Sequence, residues 1–238
     1  MIKRRFLTLM GLAGLAAAVA ILPWGVNLAH AGAGPAGVTF YANSPSGGAT
    51  GTALKKFVDS LPGLGVANKN NLGQYIPVAV PDTGAFSGSD YYEIGLKDYT
   101  QLMHSNLPKA TKLRGYYQIN GPDTSAKYLG PAIVARRDRP VRLKFTNELG
   151  KGALGNLFLP VDETIMGAGM GPLSTSVPYT QNRAGIHLHG GFTPWISDGT
   201  PHQWITPALD PTIYPKGVSQ QNVPDMPDPG AGSATYYY

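Results

Sequence analysis

The sequence predicts an all-β protein, antiparallel and rich in loops. Three observations carry this. Charged residues make up only 14% of the chain, while 31 Gly and 21 Pro interrupt it at short intervals. Apolar residues recur with a period of two in several short runs, as in half-buried strands. Only residues 53–61 offer a short helical pattern. Such a composition also occurs in disordered chains. The recurring Tyr, Val, Ile and Leu of the strand-like runs argue against that reading.

Residues 1–31 read as an export signal. Lys3-Arg4-Arg5 is a basic start, residues 6–22 are almost wholly apolar, and Ala29-His30-Ala31 is a small-x-small cleavage site. The apolar run is long enough to raise a membrane-span reading. Its glycines and alanines, and the cleavage site, favour a signal that is removed. A mature chain starting at Gly32, with no stable span, is then expected in the periplasm or outside the cell. Lys3-Arg4-Arg5-Phe6-Leu7 also resembles a twin-arginine signal, though the spacing departs from the usual pattern.

Removing the three leader cations lowers the net charge from +5 to +2. The remaining acids and bases nearly balance, and no basic stripe with interleaved aromatics suggests nucleic acid. There is no Cys, so the chain carries neither a disulfide nor a thiolate metal site. The 207 residues after the leader can bury a sizeable core and suffice for one large domain or one and a half.

Residues 32–88 read as an irregular N-terminal extension. Within it, residues 74–81 are extended, and their prolines allow only an edge strand or a covering arm. The domain proper is expected over 89–238. Residues 91–99 and 112–119 predict strands, the second ending at Asn120-Gly121-Pro122. Ile133 and Ala135 alternate with polar neighbours, as do Val141, Leu143 and Phe145. Two further strands are expected there, joined by a turn at Asp138, Arg139 and Pro140, with Arg142, Lys144 and Thr146 facing water. Gly167-Ala168-Gly169 lacks the strand-to-helix context of a dinucleotide site and reads as a loop. Thr235-Tyr236-Tyr237-Tyr238 begins another strand.

Between these lie residues 184–207, centred on His187-Leu188-His189-Gly190. On a strand, positions i and i+2 share a face, with Cα atoms roughly 6.5–7 Å apart. Two such imidazoles can converge on one metal or serve two neighbouring ones, and imidazole suits copper, zinc, iron and nickel. Gly190 and Gly191 leave room in front of them. Taken alone, a His-x-His pair is more often incidental than a site. Asp198-Gly199 closes the following turn. His202 reads as a structural or surface residue with a third-ligand alternative, and His104 as a surface residue.

The order of Gly-Pro-x-Ile-x-Ala (130–135), Val-Arg-Leu-x-Phe-Thr-Asn (141–147), Ile-His-Leu-His-Gly (186–190) and Asp-Gly (198–199) resembles the first plastocyanin-like domain of multicopper oxidases. The resemblance covers residues 91–238 and implies a cupredoxin-like antiparallel Greek-key β-sandwich or barrel. It further implies copper, with His187 binding a type 2 copper and His189 a type 3 copper of a trinuclear cluster that reduces O2 to water. Asp198 matches an Asp-Gly near that cluster, where it would orient water or relay protons. Leu188 stands where many members have Trp, and Asp138-Arg139 replaces a commoner Gly-containing turn. Neither change removes a ligand.

The family also needs further His clusters and a His-Cys-His segment for a type 1 copper, and these are not in this sequence. The expectation is therefore an N-terminal portion truncated at its C-terminal end. It would be inactive alone and completed by further cupredoxin domains or a companion chain, with O2 and a phenolic, pigment or metal-ion reductant as substrates. The alternative is a degenerate copper-binding or structural module without catalysis. A single-domain electron carrier fails on the absent Cys. A zinc hydrolase or cupin site lacks the nearby acidic ligand.

Overall fold

The structure is a computed structural model and describes residues 54–238, save 166, 172, 173, 175, 221, 222 and 224–228. The expected export signal and the first part of the extension lie outside the described residues. Among the described residues there is no α-helix, and no helix is long and apolar enough to cross a membrane.

Four strands form one mixed sheet: β1 (Asp90–Gln101), β2 (Thr111–Gln118), β3 (Val141–Asn147) and β4 (Ser233–Tyr237), in the order β2-β1-β3-β4. The hairpin β1–β2 is antiparallel, with Gly95 opposite Tyr117. Gly95 is required there, because a Cβ would lie 2.6 Å from the Tyr117 ring. β3 and β4 are also antiparallel. β1 and β3 run parallel, Tyr92 opposite Leu143 and Ile94 opposite Phe145. The all-β, cupredoxin-like class holds. The sheet is nevertheless mixed rather than wholly antiparallel, because a long connection brings β3 back beside β1 in the same direction.

The core sits on one face of this sheet. Tyr92, Ile94, Leu96, Val141, Leu143, Phe145, Ala234 and Tyr236 are buried there with Ile205 from the connecting loops. Strand alternation selects them: along β3, residues 141, 143, 145 and 147 are buried and their neighbours half-buried. Burying each large apolar side chain stabilises the fold by about 1.5–3 kcal/mol. The opposite face is less open than expected, since the Arg142 guanidinium lies 3.9 Å over the Phe86 ring and 5.2 Å from that of Tyr237. A second cluster, Tyr179, Trp204 and Tyr214, packs edge to face within the long loops.

Three expected elements differ. Residues 133–135 form no strand. Ala132 makes one bridge to Val78, while Ile133 and Val134 are exposed. The reason is topological: β1 and β4 occupy both edges of β3, leaving no edge for a hairpin partner. Residues 54–61 are turns and bends rather than a helix, with Phe57 at φ 60°. The segment around His187 is extended but joins no regular strand.

The arm of residues 74–81 does act as a cover. Ala79 donates to the Ala132 carbonyl, and Gln118 clamps both the N–H and the carbonyl of Val80. The turn before β3 is fixed by Arg139, whose Nε donates to Asp90 across 2.6 Å. Asp90 is 6% exposed, so the pair anchors the 138–140 turn to the start of β1.

Candidate metal centre

The segment carrying the two histidines is laid over the core face of the sheet. Every buried backbone polar group needs a partner, and here side chains supply several of them. Asn147 Nδ2 donates to the carbonyls of Asn182 and Ile205, at 2.7 Å each. Ala184 and Ile205 exchange backbone hydrogen bonds. The Tyr116 hydroxyl donates to the Gly185 carbonyl at 2.8 Å. The Ile186 N–H reaches the Tyr236 hydroxyl at 3.4 Å. Polar partners of this kind hold the chain extended without a neighbouring strand, which is why the expected strand is absent.

His187 and His189 follow at once and point outward. Their ring centroids lie 5.9 Å apart with the planes tilted 44°. His187 is 48% exposed at its side chain, His189 is also exposed, and Gly190 at φ 74° turns the chain away. Exposed Leu188, Phe192 and Trp195 flank the pair.

The Pro-Trp-Ile-Ser-Asp-Gly stretch forms a 3-10 turn, Trp195–Ser197, that ends at Asp198. Gly199 docks this turn against the histidine segment. A Cβ at Gly199 would lie 1.7 Å from the Ile186 carbonyl oxygen, and its φ of 67° already disfavours other residues. Ser197 is fully buried, and its Oγ accepts the Tyr237 N–H at 2.9 Å, tying the turn to β4.

This docking selects the tautomer of the neutral His187 ring. Its Nδ1 lies 2.5 Å from the Asp198 backbone carbonyl. A carbonyl only accepts, so Nδ1 carries the hydrogen and Nε2 keeps its lone pair. Metal-binding imidazoles are oriented in this way by a carbonyl or carboxylate on the other nitrogen. The donor set therefore fits a metal at His187 Nε2, with His189 exposed beside it. The Asp198 carboxylate stands 3.6 Å from the same Nδ1 and accepts from Thr193 Oγ1 at 3.5 Å.

Close by lies a shallow cavity of about 220 Å³, lined by His187, Gly199, Thr200, Gln203, Trp204 and Arg183 among others. The Arg183 guanidinium packs over Tyr179 and Trp204, and burial lowers its pKa. Burial first, and then Tyr236 and Asp198, push the Tyr238 hydroxyl well above the usual phenol range.

His187, His189 and Asp198 are thus brought together. Among the described residues no three His, Cys, Asp or Glu side chains form a metal-holding group. His202 is exposed in a turn and joins no such cluster, while its carbonyl accepts from Ser219. His104 lies elsewhere, 3.7 Å from Asp59, with its Nδ1 accepting the Asn106 N–H. Sequence reasoning missed Tyr116, Asn147, Ser197 and Tyr236. The faces of Tyr116, Asn147 and Tyr236 follow from strand alternation and Ser197 sits in a turn, but the partners of all four are 35 or more residues away.

No family model matches the chain. Curated proteins similar to it include the laccase of Bacillus subtilis (strain 168), 31% identical over 159 residues. The laccase of Bacillus stratosphericus is 34% identical over 160 residues. Each of these matches covers 67% of this chain and 25% of the relative. The laccase of Haloferax volcanii is 29% identical over 160 residues, 67% of this chain and 23% of the relative. The chain spans about a quarter of the length of these curated relatives. With an all-β sheet beneath an oriented His-x-His pair, the chain is a relative of the laccases, of the multicopper oxidase family.

Proposed function

We propose that this chain is the N-terminal portion of an exported multicopper oxidase and supplies two ligands, His187 and His189, to a copper cluster. The observation that carries the reading is the Nδ1 contact of His187 with the Asp198 carbonyl, which leaves Nε2 free to bind. In the resemblance, His187 serves the type 2 copper and His189 a type 3 copper. When bound, the copper cluster would pass to O2 the electrons withdrawn from a phenol, a pigment or a metal ion, so that the substrate is oxidised as O2 is reduced to water.

The chain's own residues have narrower tasks. The Asp198 carbonyl holds the His187 tautomer. The Asp198 carboxylate is partly exposed beside the imidazole and stands where it can orient water or pass a proton. Gly199 keeps both against the histidine backbone. The chain has no Cys, so the thiolate of a blue copper site must come from other sequence. Further ligands come from additional cupredoxin sequence, on the same polypeptide or on a companion.

Equilibrium dialysis of the full chain against Cu(II) tests the reading. Binding that falls in both His187→Ala and His189→Ala supports it. Copper uptake indifferent to both substitutions would leave a structural cupredoxin module without a ligand role.

A further inference from the structure

Strand register places two tyrosines from opposite edges of the sheet on its core face. Tyr116 of β2 pairs with Leu96, and Leu96 with Asn147. Asn147 shares its face with Leu143, which pairs with Tyr236 of β4. The two hydroxyls meet at consecutive residues of the overlying segment. Tyr116 donates to the Gly185 carbonyl at 2.8 Å, and Tyr236 accepts from the Ile186 N–H at 3.4 Å. Those are the two residues immediately before His187.

Beyond His187 the chain closes a turn of its own, with the Gly191 N–H on the Leu188 carbonyl, while Gly199 packs against the Ile186 carbonyl on the near side. The backbone from which the ring leaves is thus held on its near side, by the two tyrosine hydroxyls and by the packing of Gly199. We propose that Tyr116 and Tyr236 are positioning residues for His187. Their hydroxyls grip the two ends of one peptide group, the carbonyl of Gly185 and the N–H of Ile186, so that the imidazole is delivered with Nδ1 on the Asp198 carbonyl and Nε2 facing outward. Both rings have packing of their own: Tyr116 edge-on to Phe145 at 6.1 Å, and Tyr236 stacked on Tyr238 at 6.4 Å. A Tyr→Phe change keeps that packing and removes the hydroxyl's grip on the backbone.

The consequence for copper rests on the function proposed above, whereas the orientation of the ring belongs to the metal-free chain. The test uses both. A long-range 1H–15N spectrum of the full, metal-free chain reports which His187 nitrogen carries the hydrogen. The unaltered chain is expected to show the Nδ1–H form. The double variant Tyr116→Phe, Tyr236→Phe, and each single variant should shift His187 toward a mixture of tautomers. Titration with Cu(II) alone should then show His187-dependent binding weakened about 10- to 100-fold in the double variant.

A lower melting temperature with an unchanged His187 spectrum in the folded protein would overturn the proposal, because that is what a purely structural role produces. If the double variant does not fold, the two single variants decide by the same spectrum. If His187→Ala binds Cu(II) as the unaltered chain does, the copper reading fails, and the tautomer shift still decides the positioning role.

Discussion

His187 reaches the main chain of Asp198, not chiefly its side chain. Nδ1 is 2.5 Å from the carbonyl oxygen and 3.6 Å from the carboxylate. The difference in distance decides which group fixes the tautomer, since a hydrogen bond does not extend to 3.6 Å. The side chain is 37% exposed beside the ring. Accordingly, Asp198→Asn should preserve the Nδ1–H form of His187 in a long-range 1H–15N spectrum, and loss of that form would return the orienting role to the carboxylate.

Gly199→Ala should be among the costlier single changes. It adds a carbon 1.7 Å from the Ile186 carbonyl and forces a positive φ on a residue with a side chain. Backbone strain of this kind costs about 1–3 kcal/mol, before the displaced turn is counted. Urea unfolding of the variant should show at least that loss. A midpoint equal to that of the unaltered chain would mean that the turn does not press on the histidine segment.

Much of this was legible in the sequence, for a local reason. β3 alternates through Val141, Leu143 and Phe145, and β1 does so in part through Tyr92, Ile94 and Leu96. Alternation reports burial on one face directly, whereas β2 and β4 showed themselves by their aromatic residues. His187 and His189 were legible as a pair for the same kind of reason, through their spacing and glycine flanks. Other features depend on distant partners. The parallel pairing of β1 with β3 has no local signature. Residues 133–135 alternate like a strand, yet no edge of β3 was free to receive them. The His187 segment lacks regular pairing because Tyr116, Asn147 and Tyr236 satisfy its backbone. A carbonyl has no letter in the sequence, so the contact of the Asp198 main chain with His187 was not legible; the water-orienting or proton-relaying role expected of its carboxylate is a separate one.

Alkaline pH should unfold the protein earlier than its apolar core suggests. Burial, the first cause in each case, raises the pKa of Tyr91, Tyr92, Tyr116, Tyr117 and Tyr238 above the ordinary value of 10.0. Between that value and the raised one, the folded state holds more protons than the unfolded state. The slope of stability with pH is then negative. The contribution is complete below pH 10.0 and declines as pH rises through the folded-state values. Tyrosinate absorbance should therefore appear together with loss of near-ultraviolet dichroism. Full titration of these phenols with the dichroism intact would contradict their burial.

The chain alone should not turn over. With Cu(II) supplied, pure protein is expected to leave a phenolic dye unoxidised under air, because the blue copper thiolate that admits electrons is not in this sequence. Copper-dependent oxidation by the isolated chain, followed by dye absorbance, would show that this sequence alone suffices.

Pulsed electron paramagnetic resonance of the Cu(II)-loaded full chain tests the central claim most directly, because it detects the remote nitrogen of a coordinated imidazole. The account predicts a remote-nitrogen signal that is lost in His187→Ala and reduced in His189→Ala, and that persists in His202→Ala and His104→Ala. A signal unaffected by substituting His187, or one that follows His202 or His104, would contradict it.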